Sequence, residues 1–101
     1  MHFQISWTGR ARIELSTATV YLTDRDLDWA STCRAKISER LDALQSAPYV
    51  SSIFKMESPI GEIREVLAGN FRIFFTVNER RKIIMIRRIL HVRQAAPDFE
   101  E

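Results

Sequence analysis

The chain has 101 residues, 46% of them apolar and 10% aromatic, with only 3 Gly, 3 Pro and a single Cys. That composition excludes a disordered, collagen-like or multidomain protein, and the length predicts one domain spanning residues 1–101. A domain of this size buries a little under about 70% of its unfolded surface, enough for one core but not for a large internal cavity, so a working site should be a surface face or shallow groove.

Taken in chain order, His2 to Trp7 alternates, with Phe3, Ile5 and Trp7 on one side, as in a half-buried strand. Thr8 is placed to cap a following helix, in which Ala11, Leu15, Ala18 and Leu22 fall on one stripe. Asp24-Arg25-Asp26 breaks the pattern, and a second helix follows with Ala30, Cys33, Ile37, Leu41 and Leu44 as its apolar stripe, making a helical hairpin. Tyr49 to Ser58, between Pro48 and Pro59, shows no clear period and reads as a loop. Three strand-like runs follow, Gly61 to Leu67, Phe71 to Val77 and Lys82 to Val92, separated by gaps of hairpin length. The predicted fold is α+β, a two-layer β-α-α-β-β-β arrangement in which an antiparallel sheet is covered on one face by the helical hairpin.

Charge is distributed unevenly. Residues 1–60 balance seven basic against seven acidic side chains, whereas residues 61–94 carry eight basic (Arg64, Arg72, Arg80, Arg81, Lys82, Arg87, Arg88, Arg93) and three acidic (Glu62, Glu65, Glu79). Such a gradient points to an acidic or polyanionic partner for the C-terminal half, with the tail of Asp98, Glu100 and Glu101 as a shield. Strand parity then sorts the side chains. In the last run Ile84, Ile86, Leu90 and Val92 share a side with Arg88 and read as core, while Arg87, His91 and Arg93 share the other with Met85 and Ile89. In the middle run Phe71, Ile73, Phe75 and Val77 read as core, which puts Arg72 beside Phe74 on the opposite side; the parity of Arg64 is ambiguous. The expectation is a single open sheet face on which Arg64, Arg72, Arg87, His91 and Arg93 converge as a binding surface.

Guanidinium forks suit bidentate contact with phosphate or carboxylate, and an imidazole among them can move a proton near neutral pH. Arg64, Arg72 and His91 are therefore candidate catalytic residues for metal-free RNA cleavage, in which a ribose 2′-OH attacks phosphorus, the arginines stabilise the transition state and His91 acts as acid or base. Against this stand structural readings: His91 as a strand-end hydrogen-bonding residue, and Arg72 as the partner of Glu62 or Glu65. Trp7, Trp29, Phe71 and Phe75 are expected in the core, and Phe74 beside Arg72 is the aromatic best placed to stack on a base. One Cys and two widely separated His form no zinc pattern, and there is no Gly-rich phosphate loop, so no metal and no cofactor are expected. A lone cysteine and the absence of a long apolar run fit a cytoplasmic protein with no membrane association.

The segment from Gly61-Glu62-Ile63-Arg64-Glu65-Val66 through Phe71-Arg72-Ile73-Phe74-Phe75, with Leu90-His91-Val92-Arg93-Gln94 near the end, resembles the RelE/ParE superfamily of bacterial type II toxin-antitoxin (plasmid stabilisation) toxins. The opening Ile5-Ser6-Trp7-Thr8 with Ala11-Arg12 and Leu15 is similar to the start of that family, and the resemblance spans almost the whole chain. It implies a RelE/ParE-like fold and a toxin neutralised by a cognate antitoxin, a small acidic protein with a DNA-binding N-terminus, in a hetero-oligomer. Two activities occur in the superfamily: ParE-like members poison DNA gyrase, and RelE-like members are mRNA interferases that cleave message on the ribosome. The only tyrosines here are Tyr21 and Tyr49, and the second half has only Lys55 and Lys82 as lysines, departures from the RelE pattern that set the DNA gyrase inhibitor slightly ahead. The alternatives are a RelE-like endoribonuclease acting on ribosome and mRNA, and an inactive antitoxin-binding co-repressor.

Overall fold

Seven elements follow one another as β1 (Gln4–Trp7), α1 (Gly9–Arg25), α2 (Leu27–Ser46), β2 (Ser52–Lys55), β3 (Ile63–Ala68), β4 (Phe71–Asn78) and β5 (Ile83–His91). The computed structural model describes residues 2–25, 27–95 and 97–99, and the side chains of residues 21–25, 29 and 30 are outside that description. The strands form one five-stranded sheet in the order β1-β5-β4-β3-β2, antiparallel except that β1 runs parallel to β5. The predicted two-layer α+β architecture is present, with two corrections. The stretch read as a loop contains a fifth strand, β2, paired with β3 through Ser52↔Glu65 and Ile53↔Arg64. Its register slips between Ile53 and Lys55, which erased the period-two signal. The sheet is also mixed, because the first strand docks alongside the last.

The helical hairpin forms because each helix has one apolar stripe. Thr8 caps α1 by accepting a hydrogen bond from the Ala11 amide at 3.1 Å, leaving Ala11, Leu15 and Ala18 to face the sheet. From α2, Cys33, Ile37, Leu41 and Leu44 meet Val66, Ala68, Phe71, Ile73, Phe75, Ile84, Ile86 and Ile89 in the main core. Leu22, Ala30 and Trp29, also assigned to this core from the sequence, have side chains outside the described set, as does the Asp26 of the predicted break.

One irregularity decides which side chains reach which face. Along β4 and β5 the partners run Phe75↔Ile86 and then Phe74↔Arg88, so Arg87 has no partner and forms a bulge. A single extra residue inverts strand parity beyond it. Ile89 therefore joins Ile84 and Ile86 under the helices, and Leu90 turns to the open face, where it packs with Ile63 and Phe74 in a second, smaller core. Thr8 holds the bulge in place: its amide donates to the Ile86 carbonyl at 3.1 Å and its hydroxyl to the Arg87 carbonyl at 3.2 Å.

Candidate functional site

The five residues expected on one face are divided by the sheet. Directly paired residues of adjacent strands project to the same side. Arg64 pairs with Phe75 and His91 with Phe71, both main-core residues, so Arg64 and His91 lie on the helix side. Arg72 pairs with Leu67 and Leu90 on the open side. Arg87 reaches back along the open face, its Nε donating to Thr76 Oγ1 at 3.2 Å. Arg93 sits in the turn after β5 and is exposed. The expectation of a single converging surface is thus corrected, and the bulge at Arg87 explains the failure for His91: without it, His91 would share the face of Arg87.

The guanidiniums of Arg64, Arg72 and Arg87 also have specific internal partners. Arg72 Nε meets Glu65 Oε2 at 2.5 Å, and the ring of Phe74 lies 4.8 Å from the guanidinium, with Phe54 at 5.8 Å. The hydrogen bond that Arg72 donates to Glu65 raises the Arg72 pKa above its already high ordinary value, so this group stays charged. Arg64 Nε donates to Glu62 at 2.8 Å, its NH1 donates to the carbonyls of Tyr49 and Ser51, and the group lies 5.0 Å from the Tyr49 ring centre. The His91 ring stands edge-on to Phe71 at 5.7 Å, and its Nδ1 accepts the Arg93 amide at 3.1 Å. That is the strand-end structural role, and it assigns the Nδ1 lone pair to the backbone.

Two clusters escaped the sequence reading. On the helix side, Tyr49 donates to Glu79 Oε2 at 2.5 Å, and Lys82 donates to the other oxygen of the same carboxylate while lying 5.0 Å from the Phe3 ring. The hydrogen bond to Glu79, then burial, pushes the Tyr49 phenol up to about 12, while Lys82 first and Tyr49 second hold the Glu79 carboxyl below its ordinary range. On the open face, Phe54 and Phe74 stand edge to face at 4.9 Å, and Phe99 packs against both. A run of ordinary composition, Ser52-Ile53-Phe54-Lys55, gave no sign that its phenylalanine would be the side wall of a socket; Phe99, an aromatic in an acidic tail, was the available signal.

Beside this aromatic patch the open face continues into a groove of about 490 Å³ under the β4–β5 turn, lined by Ile60, Thr76, Met85, Arg80, Arg81 and Arg87 among others. It is a shallow basic surface suited to an anionic or acidic partner. Among the described residues, no three His, Cys, Asp or Glu side chains assemble as a metal-binding set, and no helix is long and apolar enough to cross a membrane. Cys33 is buried at the helix–sheet interface, which gives it a packing role.

The sequence model for "ParE toxin of type II toxin-antitoxin system, parDE" matches residues 5–96. The chain belongs to this ParE toxin family. Solved structures share the ParE fold at low identity. The chromosomal ParDE toxin-antitoxin system of P. aeruginosa superposes with a TM-score of 0.68 at 22% identity, over 89% of this chain and 96% of that one. A free mutant form of the E. coli toxin RelE gives 0.64 at 13% identity, covering 92% and 86% respectively. The archaeal RelE–RelB complex of Pyrococcus horikoshii gives 0.62 at 17% identity, covering 94% and 100%. No protein in the curated set matches this ParE-family chain.

Proposed function

We propose that this ParE-family toxin arrests growth by binding DNA gyrase, without chemistry of its own, and that a small acidic antitoxin neutralises it in a hetero-oligomer. The observation that carries this reading is the division of the candidate nuclease residues. Phosphodiester cleavage needs the proton-transfer group and the charge-stabilising groups within reach of one phosphate. Here His91 and Arg64 lie on the helix side of the sheet, and Arg72 and Arg87 lie on the other. Binding needs no such convergence, and the open face, with Arg80, Arg81 and Arg87 around a groove, offers an electrostatic surface for a large partner. Gyrase places the site of action in the cytoplasm. The P. aeruginosa and P. horikoshii relatives are toxin-antitoxin assemblies, which supports an antitoxin partner for this chain.

The test pairs two assays on purified protein. Gyrase supercoiling should fall and cleaved DNA should accumulate on adding the chain, while message in a translating extract stays whole. Cleavage of mRNA that is abolished by His91→Ala would replace this reading with the ribosome-dependent nuclease. Harmless expression in the absence of the antitoxin would replace it with the inactive co-repressor.

A further inference from the structure

Phe74 is fully buried although its strand face carries no helix. What covers it comes from three directions: Phe54 of β2 at 4.9 Å, the Arg72 guanidinium at 4.8 Å, and Phe99 of the C-terminal tail at 5.6 Å. The residue before Phe99 is fastened as well. The Asp98 carbonyl accepts a hydrogen bond from Arg88 NH1 at 2.8 Å, and its carboxylate meets Arg10 of α1 at 3.3 Å. The tail thus lies across the open face as a bound peptide would, with an aromatic ring in a socket, a backbone carbonyl on one arginine and a carboxylate on another.

We propose that this socket is an exchangeable docking site for a peptide segment bearing an aromatic ring next to a carboxylate, occupied in the free chain by Pro97–Phe99 and taken over by a partner's segment of the same chemistry. The contacts that hold the tail suit exchange. The Arg10 and Asp98 side chains are 40% and 72% exposed, so solvent screens their pairing, and Phe99 itself is only partly buried. The socket by contrast is preformed: Phe54 and Phe74 are fixed by the sheet, and Arg72 is locked by Glu65. An emptied socket exposes Phe74, so release of the tail and arrival of another aromatic are coupled. The tail competes at the high effective concentration of an intramolecular ligand, on the order of millimolar, which makes the intact chain selective for partners that bind through additional contacts elsewhere.

The experiment uses a fluorescent peptide with the sequence of residues 94–101 of this chain, titrated with the intact protein and with Phe99→Ala while polarisation is read. The peptide should bind Phe99→Ala at least tenfold more tightly than the intact chain, and a peptide with alanine in place of its phenylalanine should lose binding. Phe99→Leu keeps an apolar cover on Phe74 and should show the same preference in weaker form, serving if the alanine variant melts too low. Equal affinity for intact and variant chains overturns the proposal, as does failure to bind a variant that unfolds cooperatively. Binding of a single-stranded DNA oligonucleotide in place of the peptide also overturns it, assigning the face to nucleic acid.

Discussion

Arg88 and Glu14 are joined across the edge of β5 that β1 leaves uncovered beyond Ile86: Nε lies 3.1 and 3.0 Å from the two carboxylate oxygens and NH2 lies 2.9 Å from one of them. The same carboxylate accepts the Ile89 amide at 3.1 Å, so a helix side chain supplies the acceptor that a neighbouring strand would otherwise provide. Arg88 is only 8% exposed. Removing one member of a buried pair strands the other charge and costs about 3–5 kcal/mol, whereas replacing both by apolar groups is often close to neutral. Glu14→Ala should therefore lower the stability measured by denaturant unfolding by about 3 kcal/mol. The double variant Glu14→Leu, Arg88→Met should recover most of the loss; additive losses would show that the two side chains act independently.

Tyr49 should titrate late. Its hydrogen bond to the ionised Glu79 favours the neutral phenol, moving it from 10.0 to about 12. Because the folded value lies above the unfolded one, the contribution of this bond to stability is complete below pH about 10 and disappears as pH rises toward 12. The ultraviolet signature of tyrosinate should show a midpoint near 12, and Glu79→Gln should bring it back toward 10.0. A midpoint unmoved by that substitution would remove Glu79 as the cause.

Gly69 closes the β3–β4 turn with a φ of +61°, and a Cβ there would come within 3.4 Å of the Lys36 side chain. Lys36 is long and exposed and can yield, so the cost of Gly69→Ala is the left-handed backbone, about 1 kcal/mol. Thermal melting should show a drop of several degrees with the sheet intact; an unchanged midpoint would mean that the turn relaxes to another conformation.

Arg72→Lys should behave as a loss and not as a conservative change. The planar guanidinium pairs with Glu65 through Nε at 2.5 Å while lying against Phe74, a geometry that an ammonium cannot reproduce. The pair is partly solvent-exposed, so the expected destabilisation is about 1 kcal/mol, with Glu65→Ala similar and the double variant no worse than either. Strictly additive effects in that cycle would separate the two residues.

The parts of this molecule that obey a period were legible before any coordinates. Both helix stripes, the capping Thr8 and the alternation of Phe71, Ile73 and Phe75 carry their geometry in their spacing, because one face of each element must be apolar. Strand parity puts Arg72 beside Phe74, as found, and Glu65 is one of the two carboxylates that the sequence offers it on the neighbouring strand. The failures trace to residues that break the period. The bulge at Arg87 exchanges the faces of Ile89, Leu90 and His91, and the slip beyond Ile53 hides β2; neither leaves a mark in residue type. Glu14 could not be assigned to Arg88 from sequence, because their meeting depends on where β1 stops pairing with β5.

Placing β1 beside β5 also sets an order of events during synthesis. The residues that zip to Gln4–Trp7 are Ile83–Ile86, nearly eighty positions later, so the opening segment has no strand to join until the final hairpin has left the ribosome. A chain extended only as far as β4 can already pair β2, β3 and β4 with one another, but Gln4–Trp7 stays without a neighbour, so the edge of the sheet beside β5 closes only after Ile83–Ile86 have been made.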